Sequence, residues 1–119
     1  MAGSLPLVYS YPTCSTCRKA LQWLKEREIE VEVVDITLRP PSPEQLQQGL
    51  QLLGRSRLFN TSGQSYRALG SGTVKAMSDE QALAALAADG KLIKRPFLVT
   101  ASGKVTTGFK AEEWESLLA

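Results

Sequence analysis

Histidine is absent from the 119 residues, and cysteine occurs only twice, as Cys14 and Cys17. Structural zinc is held by about four cysteine or histidine ligands, so with no histidine and no second cysteine pair a metal site is not expected. Two cysteines three positions apart do not staple a secreted domain either, because a loop-closing framework needs pairs spread along the chain. Charge of one sign is equally scarce: 14 Lys and Arg against 12 Asp and Glu leave a net +2, too little for the one-sided field of a direct nucleic-acid binder. No window approaches the roughly 18 apolar residues of a membrane span. The opening Met1–Pro6 shows no basic stretch leading into an apolar run, as a secretory leader would. The expectation is a soluble, cytoplasmic protein with no membrane partner, no direct nucleic-acid contact and no bound cofactor, acting as a monomer. At 119 residues and 43% hydrophobic, one domain spanning 1–119 can bury a core without staples.

What is present falls into alternating elements. Leu5 to Tyr9 is a short apolar run between Pro6 and Pro12 and predicts a buried strand. Cys17, Ala20, Leu21 and Leu24 then recur at helical spacing, with Arg18, Lys19, Gln22, Lys25 and Glu26 on the opposite side, which predicts a helix over Ser15–Arg27. The β-branched run Val31, Val33, Val34, Ile36 predicts a second strand, parallel to the first through a right-handed crossover. Ser42-Pro43 with Gln45 forms an N-cap, a first-turn proline and a capping-box partner for a helix ending near Leu53, with Gly54 as its C′ residue. Arg55 to Gly72 is rich in Ser, Gly and Asn and is expected to be loop and short turns. Ser78 and Gln81 open another capped helix running to Asp89 and closed by Gly90. Phe97–Thr100 and Val105–Thr107, joined through Ser102-Gly103, predict a hairpin. A final helix follows, with Trp114, Leu117 and Leu118 toward the sheet and Glu112, Glu113 and Glu115 solvated. The order β-α-β, helical insert, β-β-α is that of an α/β thioredoxin-like fold with a mixed sheet.

The chemistry concentrates at Cys14-Ser15-Thr16-Cys17. A cysteine just before a helix faces free first-turn N–H groups and the positive dipole end, both of which favour thiolate. Cys17 lies one turn along the same face, within reach to attack a sulfur adduct on Cys14. Two packed, inert cysteines are the bland alternative, but a C-x-x-C that follows a strand and opens a helix points to redox chemistry. Arg18 adds positive potential near Cys14 or is simply solvated. Arg95-Pro96, just before a strand and across the fold from that helix start, is a candidate cis peptide whose arginine would point toward Cys14. Lys94 and Lys110 can contribute rim charge, though exposed lysines are usually only solvated.

The run Val8-Tyr9-Ser10-Tyr11-Pro12-Thr13-Cys14-Ser15-Thr16-Cys17-Arg18-Lys19 resembles the first strand, cysteine loop and helix start of the ArsC/Spx-type family. Leu92-Ile93-Lys94-Arg95-Pro96-Phe97-Leu98-Val99 and Gly108-Phe109-Lys110 are similar to its Arg-cis-Pro strand and the segment after its hairpin. Phe59-Asn60-Thr61-Ser62-Gly63 and Tyr66-Arg67 resemble the middle of its glutaredoxin-like branch. The resemblance implies a thioredoxin-like fold in which, among arsenate reductases, a cysteine attacks arsenate held by three arginines. It implies Cys14 as nucleophile, Cys17 as resolving thiol and Arg95 as an anion-orienting residue, with Arg18, Asn60, Pro96 and Lys110 around the substrate. Asn60 stands where those reductases have an arginine, which weakens the case for arsenate itself. The expected activity is that of a thiol-dependent oxidoreductase, reduced by glutathione or by a glutaredoxin or thioredoxin, with a small thiol or redox protein as partner. The alternative implied by the Spx branch is a redox-sensing transcriptional regulator that binds the C-terminal domain of the RNA polymerase α subunit through a surface including a glycine, with Gly54 at a similar place.

Overall fold

The computed structural model describes residues 5–118; most of the Met1–Pro6 segment read for a leader lies outside them. The first strand, β1, is Leu7–Ser10. It starts after Pro6 because proline has no N–H for the ladder, although the Pro6 carbonyl still accepts from Glu32 N–H at 2.8 Å. Helix α1 covers Ser15–Glu26, with Cys17, Ala20, Trp23 and Leu24 on its buried side. Strand β2, Glu32–Asp35, runs parallel to β1 with Ser10 opposite Asp35. It stops short of Ile36 because the Asp35 carboxylate accepts the Thr37 N–H at 2.9 Å and its hydroxyl at 2.6 Å, turning the chain. Those bonds favour the charged form and hold the Asp35 carboxyl below its ordinary range.

Helix α2 (Pro43–Leu53) carries the expected capping box: Gln45 N–H donates to Ser42 Oγ and Ser42 N–H to Gln45 Oε1. Gly54 ends it at φ 77°, a left-handed conformation that glycine adopts without strain. The stretch expected as loop is instead three short helices: α3 (Arg55–Leu58), α4 (Gln64–Leu69) and α5 (Ser71–Ala76). Long-range packing orders it. Leu58, Phe59 and Val74 are buried in the core, and Tyr66 meets Phe59 edge-on with ring centroids 6.1 Å apart. Helix α6 (Asp79–Ala88) has the second capping box, Ser78 with Gln81, and a 3-10 turn, Gly90–Leu92, follows.

Strands β3 (Phe97–Val99) and β4 (Val105–Thr107) complete a four-stranded sheet in the order β2-β1-β3-β4, with β3 antiparallel to both of its neighbours. Helix α7, Ala111–Leu118, closes the described chain. The fold is thus α/β and thioredoxin-like, with the expected mixed sheet. Alternation along the strands splits the core. Tyr9, Val34, Phe97 and Val99 face α2, α6 and the insert, whereas Val8 and Leu98 pack with Ala20, Trp23 and Leu24 of α1 and Trp114 of α7. No described helix is long and apolar enough to cross a membrane.

Two residues differ from their expected roles. Glu113 is not simply solvated: its carboxylate accepts from Thr106 Oγ1 at 2.7 Å and from Arg57 at 3.3 Å, linking α7 to β4 and α3. Gly90 is not a left-handed C′ residue, since α6 ends at Asp89 with extended φ and ψ. It is needed for close approach, because a Cβ there would lie 2.1 Å from the Ile36 carbonyl oxygen. Backbone cannot give way as a side-chain tip can. Gly90→Ala should therefore cost about 2 kcal/mol or more in urea unfolding. Gly72→Ala, where a Cβ meets nothing within 4 Å, should be neutral or slightly stabilising. Equal midpoints for Gly90→Ala and wild type would contradict this packing.

Candidate functional site

The turn between β1 and α1 closes when Cys14 N–H donates to the Tyr11 carbonyl at 3.0 Å. Cys14 then occupies the N-cap, and its Sγ accepts the Cys17 N–H at 3.2 Å. A sulfur here does what a Ser or Asp oxygen normally does at a helix start. Cys14 is partly exposed and Cys17 is wholly buried; neither is in a disulfide. Burial, together with an S–H bond to the Cys14 side chain, pushes the Cys17 thiol up to about 11, against smaller opposing hydrogen bonds from the Tyr11 backbone and the Ser10 side chain. The arrangement therefore distinguishes an accessible sulfur that accepts hydrogen bonds from a covered, protonated one directly behind it.

The remaining candidates separate into two groups. Arg95 and Asn60 come together in one polar cleft of about 280 Å³, lined also by Tyr11, Lys91, Gln64 and Ser65. An isolated bridge between Phe59 and Ile93, flanked by Asn60 N–H to the Leu92 carbonyl at 2.7 Å and Lys94 N–H to the Leu58 carbonyl at 2.9 Å, brings the two segments side by side. The Arg95-Pro96 peptide is cis, as the sequence suggested. Arg95 rests over the Tyr11 ring at 4.8 Å and donates to the Lys91 carbonyl at 3.3 Å. Arg18 and Lys110 are not among the residues lining that cleft. Arg18 donates to the Pro12 carbonyl at 3.1 Å, bracing the cysteine turn, and Lys110 lines a separate hollow with Ala111, Glu112 and Glu113. Sequence reasoning missed Tyr11 and Lys91. Tyr11 stood within the quoted cysteine motif, and Lys91 lies one turn before Arg95, but only the folded chain makes them neighbours.

With this geometry in view, comparison with known proteins is decisive for kinship: residues 9–117 match the model of the ArsC family. The chain belongs to the ArsC family. It is 45% identical over 113 residues to YusI, an uncharacterised protein of Bacillus subtilis (strain 168), covering 90% of this chain and 92% of YusI. It is 32% identical to the regulatory protein MgsR of the same organism, with 88% and 83% covered. The solved arsenate reductase from Vibrio cholerae superposes with a TM-score of 0.79 at 29% identity, covering 98% of this chain and all of that one. Kinship to the ArsC family therefore extends both to an arsenate reductase and to a regulator.

The unequal cover of the two sulfurs sets an expected order of reaction. Iodoacetamide at neutral pH should label Cys14 first, and Cys17 should stay largely unlabelled until the pH approaches about 11. Peptide mapping after timed quenching reads both sites; faster labelling of Cys17 at pH 7 would reverse their roles.

Proposed function

We propose that this chain is a thiol-based redox protein whose Cys14 and Cys17 interconvert between a dithiol and an intramolecular disulfide, and that the couple serves redox-dependent regulation rather than arsenate reduction. The observation that carries it is the hydrogen bond from the Cys17 backbone N–H to Cys14 Sγ at the start of α1, which sets a partly exposed cysteine beside a buried one. Cys14 is the attacking sulfur and Cys17 the resolving one. Similarity to MgsR, and 25% identity to the global transcriptional regulator Spx of Lactiplantibacillus plantarum, support the regulatory side. The poor fit to arsenate supports it as well. A doubly charged oxyanion is best met by several guanidiniums, whereas the cleft offers one arginine, one lysine and the neutral Asn60. On this reading the partner is the C-terminal domain of the RNA polymerase α subunit. Gly54 suits a contact surface, since a Cβ there would meet nothing within 4 Å.

A second reading, a thiol oxidoreductase that turns over with glutathione, a glutaredoxin or a thioredoxin, draws support from the same cleft. Lys91 and Arg95 could orient the carboxylate of a small thiol or an anionic substrate. Three measurements distinguish these readings. Capture of the purified C-terminal domain of the polymerase α subunit, changing with dithiothreitol, is expected for the regulator; steady turnover of a glutathione-linked disulfide assay without such capture would favour the oxidoreductase. Arsenate reduction should be weak or absent in wild type. Replacing a charge-assisted bond by a neutral one costs roughly 1–3 kcal/mol, so Asn60→Arg should raise any arsenate turnover by about tenfold to a hundredfold. Efficient arsenate reduction by wild type would contradict the proposal.

A further inference from the structure

Tyr11 belongs to both halves of the site. Its carbonyl closes the cysteine turn by accepting the Cys14 N–H at 3.0 Å. Its partly buried ring lies under the Arg95 guanidinium, with Cζ 4.8 Å from the ring centroid, and lines the polar cleft together with Arg95, Lys91 and Asn60. Arg95 donates to the Lys91 carbonyl at 3.3 Å, and among the described residues no carboxylate pairs with it. A guanidinium carries several N–H donors and no acceptor, so most of its hydrogen-bonding edge is left for an anion. We propose that Tyr11 is a positioning residue that makes Cys14 selective for anionic low-molecular-weight disulfides: its ring holds the Arg95 guanidinium beside the cysteine turn, where the charge meets the acidic group of the incoming molecule. This rests on the reading of Cys14 as the attacking sulfur and names the class of molecule that it meets.

Stacking on an aromatic face fixes the plane of a guanidinium and leaves its N–H edge open to a carboxylate. Without the ring, Arg95 would keep its charge but lose its place, and an incoming anion would have to order the side chain on binding. Lys91 brings a second positive charge to the same wall, and no Asp or Glu is among the described residues that line the cleft. Asn60, Gln64 and Ser65 add neutral hydrogen-bonding groups. A carboxylate attached to other polar groups suits this lining. In the reaction the Cys14 thiol loses its proton to solvent and its sulfur attacks one sulfur of the disulfide RSSR. The Cys14–S–S–R bond forms as the S–S bond of RSSR breaks, and RS⁻ leaves with the electron pair, so Cys14 is oxidised and the departing half is reduced. Arg95 orients R and takes no part in the exchange of bonds.

The test is stopped-flow reaction of the reduced full chain with the dianionic 5,5′-dithiobis(2-nitrobenzoate) and with neutral dithiodipyridine. The rate of the first thiolate release is divided, for each probe, by the rate of mercaptoethanol with that probe. Wild type should prefer the dianion in this normalised ratio, and the preference should fall with added salt. Tyr11→Leu keeps the carbonyl that closes the turn and leaves the net charge unchanged. It should nevertheless lower the ratio about threefold or more, through loss of the cation–π contact and of the order it gives Arg95. Tyr11→Phe, which retains the ring, should keep the wild-type preference. Arg95→Gln should lower the ratio at least as far, and adding Tyr11→Leu to it should change the ratio no further, because the two residues act as one unit. An unchanged ratio in Tyr11→Leu, equal slowing with both probes, additive effects of the two substitutions, or a wild type without preference would overturn the assignment. The dithiol reading is tested by the second release. A wild type that releases one equivalent contradicts that reading, while a ring-dependent preference in its first release still supports the role of Tyr11.

Discussion

The hydrogen bond from Cys17 N–H to Cys14 Sγ, 3.2 Å long, is the constraint around which the site is organised. The other two long helices before the hairpin start on capping boxes, Ser42 with Gln45 and Ser78 with Gln81. Helix α1 has no such box and no acidic residue in its first turn. Its cap is the sulfur of Cys14, so the group that begins the helix is also the sulfur proposed above to react. Any adduct on Cys14 therefore alters a structural contact, and that links the sulfur's chemical state to the shape of the turn from Tyr11 to Cys14.

Around this turn the fold supplies a packed aromatic cluster on one side and a polar cleft on the other. Behind α1, Trp23, Phe109 and Trp114 meet edge-on with centroids 5.2 to 6.5 Å apart, and such pairs add to the burial of large rings. Glu113 fastens α7 to Thr106 and Arg57. In front, Tyr11 has a double role: its carbonyl closes the cysteine turn and its ring carries the Arg95 guanidinium. Anything in the cleft that draws Arg95 from that ring acts on the residue that closes the cysteine turn.

The sequence discloses most where the cause is local. Both capping boxes, the helix beginning at Ser15, the Gly54 stop and the hairpin are written in neighbouring residues, and the structure has each of them. The segment after Gly54 was not legible. Helix α4 buries none of its residues, and α4 and α5 begin at glycines without a side-chain cap, so only contacts such as Phe59 with Tyr66 order this part of the chain. The same divide runs through the site. Cys14 and Cys17 are visible from spacing alone, and the cis peptide before Pro96 followed from the inferred fold. Asn60 beside Arg95 depended on family resemblance, while the place of Lys91 beside them arises only from tertiary packing.

The central claim is that Cys14 and Cys17 form one reversible two-electron couple. Its most direct test is equilibration of the full chain in glutathione redox buffers, followed by acid quench, alkylation and intact-mass analysis. The account predicts two dominant species, dithiol and a monomer lacking both thiol hydrogens, exchanging with about 30 mV per decade as a two-electron couple requires. Their midpoint should fall within or close to the cytosolic poise of roughly −220 to −320 mV. A stable glutathione adduct on Cys14, or a disulfide-linked dimer as the end product of oxidation, would contradict it.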